Sequence, residues 1–116
     1  MKMLKFLFLI LLYASCSSTK HLRVTDCNEN MTFKKAFFYN ISIAEKYTLE
    51  HTKPIEHTIE TNYFLKSLNF ISKYTNVSMD KVSNYQIGYP TFEVFEIDKK
   101  EWIKWYNDNK CNNLKE

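Results

Sequence analysis

Glycine is almost missing from this chain: Gly88 is the only one among 116 residues. Phosphate-cradling loops and dinucleotide fingerprints need several glycines at fixed spacing, so neither is present. A large charge of one sign is missing too, with 16 basic against 13 acidic residues and a formal net charge of +3. Lys2 and Lys5 supply two of those positive charges, and without residues 1–15 the balance falls to 14 against 13. Binding of nucleic acid through bulk electrostatics is therefore not expected. Long hydrophobic runs are missing as well. The longest, FLFLILLYA at residues 6–14, is well short of the about 20 apolar residues that cross a hydrocarbon core about 30 Å thick. Proline occurs twice, at Pro54 and Pro90, and cysteine three times, at Cys16, Cys27 and Cys111.

The amino terminus carries the clearest instruction. Lys2 and Lys5 precede the apolar run, and Ala14-Ser15-Cys16 follows it with small residues. That order of basic, apolar and small is a secretory signal over residues 1–15. Two processing routes fit. In one, Cys16 becomes the new amino terminus and carries lipid; in the other, ordinary cleavage near Cys16 or Ser17 releases a soluble chain. After Cys16 the run SSTKH is short, polar and without a hydrophobic pattern, as a flexible tether over residues 16–26 would begin. Residues 27–116 are enough for one small domain and no more.

If Cys16 is acylated, Cys27 and Cys111 remain as an even pair in an exported setting. A bridge between them would close a long loop and contribute about 4 to 5 kcal/mol in the chain-entropy model. The spacing is equally compatible with two unrelated thiols.

Along the folded part, Phe33, Phe37, Ile41 and Ala44 fall at helical spacing and predict a helix over 31–49. Phe37, Tyr39, Ile41 and Ile43 also alternate, so the competing expectation is a strand over 36–44 in an α+β fold. Pro54 interrupts the linker TLEHTKPIEH. A second helix is expected from Ile55 or Ile59 to Tyr74, with Tyr63, Phe64, Leu68, Ile71 and Tyr74 inward and Glu60, Lys66, Asn69 and Lys73 outward. Asn76 stands where a left-handed cap residue would end it. Ser78 and Asp80 suit the start of a short helical turn, and TFEVFEI at 91–97 reads as an extended segment or a short strand. The last helix is expected to start at Asp98 as N-cap. Glu101 would be its capping-box partner and Ile97 with Trp102 the staple. The expected fold is mostly α: a small single domain of about three helices with one short extended segment.

The lipid-type processing site and the chain's closing motif carry a resemblance. Ala14, Ser15 and Cys16 are similar to the lipobox of bacterial lipoproteins, with Tyr13 standing where an aliphatic residue is usual. The end of the chain, an acidic cap before Trp102-x-x-Trp105-Tyr106 and an Asn/Lys-rich tail, resembles that of small bacterial lipoproteins. FLKSLNFISKYTNVS resembles the helix that often precedes such an ending. The glycine-poor, Lys/Asn/Ile-rich composition resembles proteins of Bacteroidota. The resemblance implies palmitate-type acylation at Cys16 and a place in the cell envelope, and it brings no activity or catalytic residue.

Candidate chemistry is sparse. EHTKPIEH repeats Glu-His at a spacing of six, and Glu60 follows one turn beyond His57. His51, His57 and Glu60 are thus the candidate metal ligands, since zinc takes three or four N, S or O donors. The spacing lacks the i, i+4 histidines of HExxH, and the plain alternative is a solvated loop. Trp102, Trp105 and Tyr106 form either an aromatic contact face or, as aromatics at helical spacing more often do, core. No nucleophile, base and orienting acid stand in a recognisable order, so no catalytic residue and no cofactor is expected. NMT, NIS and NVS at Asn30, Asn40 and Asn76 would accept glycans only in a eukaryotic secretory pathway.

The sequence therefore points to an exported protein held on an envelope membrane by lipid on Cys16, serving as a small binding module for a protein or other envelope partner. The alternatives are a soluble secreted inhibitor or immunity-type protein, and a small exported metal-dependent protein using His51 and His57.

Overall fold

The computed structural model describes residues 27–78 and 88–116. The expected signal segment 1–15, the lipidation site Cys16, the tether 16–26 and the Asp80 part of the Ser78/Asp80 turn lie outside the described residues.

Three helices make up the regular structure of the described residues: α1 (Met31–Thr52), α2 (Thr61–Ser72) and α3 (Phe92–Asn109). No strand occurs among them, so the alternation at 36–44 does not produce one. The helical period wins there because Phe33, Phe37, Ile41, Ala44 and Tyr47 keep one face buried over four turns. Asn30 caps α1. Its side-chain oxygen accepts from the Thr32 and Phe33 amides at 3.0 and 3.1 Å, and its amide donates to the Leu114 carbonyl at 2.8 Å.

The second helix begins at Thr61, later than the sequence pattern suggests, because residues 53–60 form a loop around Pro54. Phe64, Leu68 and Ile71 are buried as expected, whereas Tyr63 is 52% exposed. Asn76 does not adopt the expected left-handed cap. The only non-glycine with positive φ among the described residues is Asn113. The end of α2 instead tightens, with the Tyr74 and Thr75 amides both donating to the Ile71 carbonyl at 3.1 Å.

The largest correction falls on α3. TFEVFEI is not extended: the helix starts at Phe92 under Thr91, whose hydroxyl accepts from the Val94 amide at 3.2 Å. Asp98 is accordingly no N-cap, and the capping box with Glu101 and the Ile97–Trp102 staple do not form. Ile97 is 57% exposed. Asp98 sits mid-helix on the buried stripe Phe95, Asp98, Trp102, Tyr106, a run of helical spacing broken in the sequence only by its one charged member.

These stripes meet in one core with Val77 and Tyr89. It is rich in rings: Phe37 lies 5.6 Å from Tyr106, Phe33 meets Tyr74 edge-on at 4.9 Å, and Phe95 meets Trp102 edge-on at 5.7 Å. Cys27 and Cys111 form a disulfide with their Cα atoms 5.0 Å apart. It ties the approach to α1 to the exit from α3, and the same end carries a hydrogen bond from the Tyr106 hydroxyl to Glu29.

Candidate functional site

Chemistry-bearing side chains gather where α1 ends and α2 and α3 begin, at the end of the bundle opposite the disulfide. The organising residue there is Glu50. It is 2% exposed and its carboxylate accepts from the Thr58 amide at 2.8 Å, the Ile59 amide at 2.9 Å and the Thr58 hydroxyl. Burial alone would raise its pKa, but the Thr58 and Ile59 donors outweigh burial and hold the carboxyl at about 2. The loop 53–60 is thereby fastened to the last turn of α1.

Fastening the loop brings His57 back over His51. The two imidazoles stack with centroids 4.2 Å apart, His51 stacks on Tyr47 at 3.8 Å, and Tyr47 on Phe64 at 4.1 Å. Four rings thus form a column, its inner two buried and its outer two exposed. His51 Nδ1 lies 2.9 Å from the Tyr47 carbonyl, which only accepts, so Nδ1 is the donor of this hydrogen bond. The Tyr47 hydroxyl meets the Thr61 hydroxyl at 3.2 Å, joining α1 to the first turn of α2.

His51, His57, Thr58, Ile59, Glu60 and Thr61 line a hollow of about 290 Å³ beside this column. A smaller one of about 180 Å³ lies near the start of α3, between Thr52, Lys53 and residues 90–93, where the Lys53 ammonium stands 5.4 Å from the Phe92 ring centre.

The structure thus brings the three candidate metal ligands His51, His57 and Glu60 to one hollow, but not as a metal centre. Among the described residues no three His, Cys, Asp or Glu side chains are grouped so as to hold a metal ion. The two imidazole planes are stacked only 24° apart, so a metal bonded in the plane of one ring would lie outside the plane of the other. The aromatic contact face is corrected as well. Trp102 and Tyr106 are 0% and 2% exposed, and half-buried Trp105 packs on Phe37 and Tyr74 at 5.5 and 5.8 Å. These rings fill the interior because so small a domain has few other groups large enough to do so.

A second buried carboxylate is Asp98, which the sequence pattern places at an N-cap instead. It accepts from the Ser78 amide at 3.0 Å, the Ser78 hydroxyl at 2.7 Å and the Tyr89 hydroxyl at 2.7 Å. One turn on, the Trp102 indole donates to the Asn76 carbonyl at 2.9 Å. Two consecutive turns of α3 therefore hold residues on both sides of the 79–87 segment. Burial, followed by the hydrogen bond to Asp98, pushes the Tyr89 phenol up well beyond the ordinary tyrosine range. The sequence signal for Asp98 was its place in the Phe95–Trp102–Tyr106 spacing.

Among the described residues no helix is long and apolar enough to cross a membrane. The chain matches no family model, no curated protein and no solved structure.

Proposed function

We propose that the chain is exported, processed at Cys16 and held by lipid on an envelope membrane, its folded part acting as a small binding module. The observation that supports this reading best is the Cys27–Cys111 disulfide. Setting Cys16 aside for acylation leaves an even pair, and that pair is bridged, as suits an oxidising compartment outside the cytoplasm. The geometry is also compatible with a tether. Residue 27 lies at the disulfide end, whereas both hollows lie at the other end of α1, whose 22 residues extend about 33 Å. A lipid attached upstream of residue 27 would leave that far end open to a partner. Two or three acyl chains suffice for stable attachment, since each buried methylene adds about 0.8 kcal/mol.

Fractionation tests the reading. The wild-type chain should stay with membranes after a carbonate wash, and Cys16→Ser should lose that attachment. A wild-type chain recovered free of membranes refutes the anchor and supports the soluble secreted alternative.

A further inference from the structure

We propose that the hollow at the end of α1 receives a guanidinium group, the arginine of a basic segment on a protein partner. This names a partner chemistry for the binding module proposed above and rests on that part of the reading.

Three observations select this class of ligand. First, His57 ends a ring column rooted in the core, Phe64 and Tyr47 being 0% and 1% exposed, so its imidazole is a supported platform. Planar guanidinium stacks on such faces, which a compact ammonium does less well. Second, Glu60 lines the same hollow, is exposed, and has no ion-pair partner among the described residues. A carboxylate beside a π face provides both elements that guanidinium recognition uses, a planar surface and a paired acceptor. Third, neither Lys nor Arg lines the hollow, while residues 50–61 contain three glutamates against one lysine. A phosphate or an acidic peptide would find no fixed cation there, and a neutral aromatic would leave Glu60 unused. Glu50 pins the loop through two backbone amides, so the platform and the backbone that leads to Glu60 are positioned before a ligand arrives.

The test uses the mature chain with acetyl-Arg-Arg-Arg-amide and its lysine counterpart at pH 7.5 and low salt, following the histidine ring resonances by NMR. The arginine peptide should shift His51 and His57 saturably and bind at least three-fold more tightly than the lysine peptide. Glu60→Gln should weaken it about three- to five-fold, the scale of one exposed ion pair, and His57→Ala should abolish the preference for arginine. Glu60 makes no side-chain cap bond and His57 is exposed, so both variants are expected to fold. Equal response to the two peptides, or shifts no larger than those at His21, overturns the inference. Anchoring is read separately by fractionation. A membrane-held chain indifferent to arginine loses this inference alone, and a membrane-free chain that prefers arginine loses only the anchor.

Discussion

Replacing Asp98 separates two accounts of the last helix. As an exposed N-cap its loss would cost about 1 kcal/mol, and Glu101 would matter as its capping-box partner. In the structure it is a 5% exposed carboxylate with three donors aimed at it, from the Ser78 amide, the Ser78 hydroxyl and the Tyr89 hydroxyl. Asp98→Ala strands those donors. A buried group deprived of its partner costs about 1 to 3 kcal/mol; because Ser78 is only half-buried and water can reach it, we expect a total of about 3 to 4 kcal/mol. Asp98→Asn keeps one acceptor but turns an amide toward donors, and should lose about 1 to 3 kcal/mol. Exposed Glu101→Ala should stay within about 0.5 kcal/mol of wild type. Urea unfolding gives all three values. A second readout is specific to the contact: in Asp98→Asn the Tyr89 phenol should ionise at lower pH than in wild type, seen by ultraviolet titration, because one cause of its raised pKa is gone. An Asp98→Ala cost below about 1 kcal/mol, with Glu101→Ala equally costly, would refute the reading of Asp98 as a buried acceptor of three hydrogen bonds.

Serine at both Cys27 and Cys111 should lower unfolding stability by about 4.5 kcal/mol, the chain-entropy value for a separation of 84 residues, measured by urea unfolding against the oxidised wild type. Gly88 has φ +110°, and a Cβ there would lie 3.2 Å from the Tyr47 ring, so Gly88→Ala should cost about 1 to 3 kcal/mol by thermal unfolding. Because Glu50 is held at about 2, below its ordinary 4.5, its stabilising contribution is complete above pH 4.5 and is lost as pH falls toward 2. Glu50→Gln should remove that part of the acid dependence of the urea midpoint. Tyr89 and Tyr106 have the opposite sign: both phenols are raised, so the stability they add is present below pH 10 and is lost as pH climbs above it. A wild-type midpoint that holds steady from pH 10 to 12 would contradict their burial.

The helices were legible where apolar spacing was unbroken. Phe33 to Ala44 and Phe64 to Ile71 mark the inward faces of α1 and α2 because burial of large side chains dominates the choice between helix and strand. Reading failed where a polar residue belongs to the core. Asp98 interrupts the α3 stripe only if every carboxylate is assigned to solvent, and treating it so moves the N-cap seven residues downstream, from Thr91 to Asp98. Glu50 is the same case in the candidate site. The Glu-His repeat pointed to the histidines, yet the loop geometry that stacks them comes from the neighbouring glutamate, whose partners lie eight and nine residues on. Such long-range satisfaction of a buried charge leaves no local periodicity to read. The disulfide was legible as a pair by counting, while its closure depended on α1 and α3 bringing their ends together.

The most direct test of the account is the intact mass of the mature protein from the membrane fraction, before and after reduction. The expected species is a chain beginning at Cys16, heavier by two or three acyl groups, that gains about two daltons when the Cys27–Cys111 bridge is reduced. An unacylated chain beginning at Ser17 or later, recovered in the soluble fraction, would contradict it.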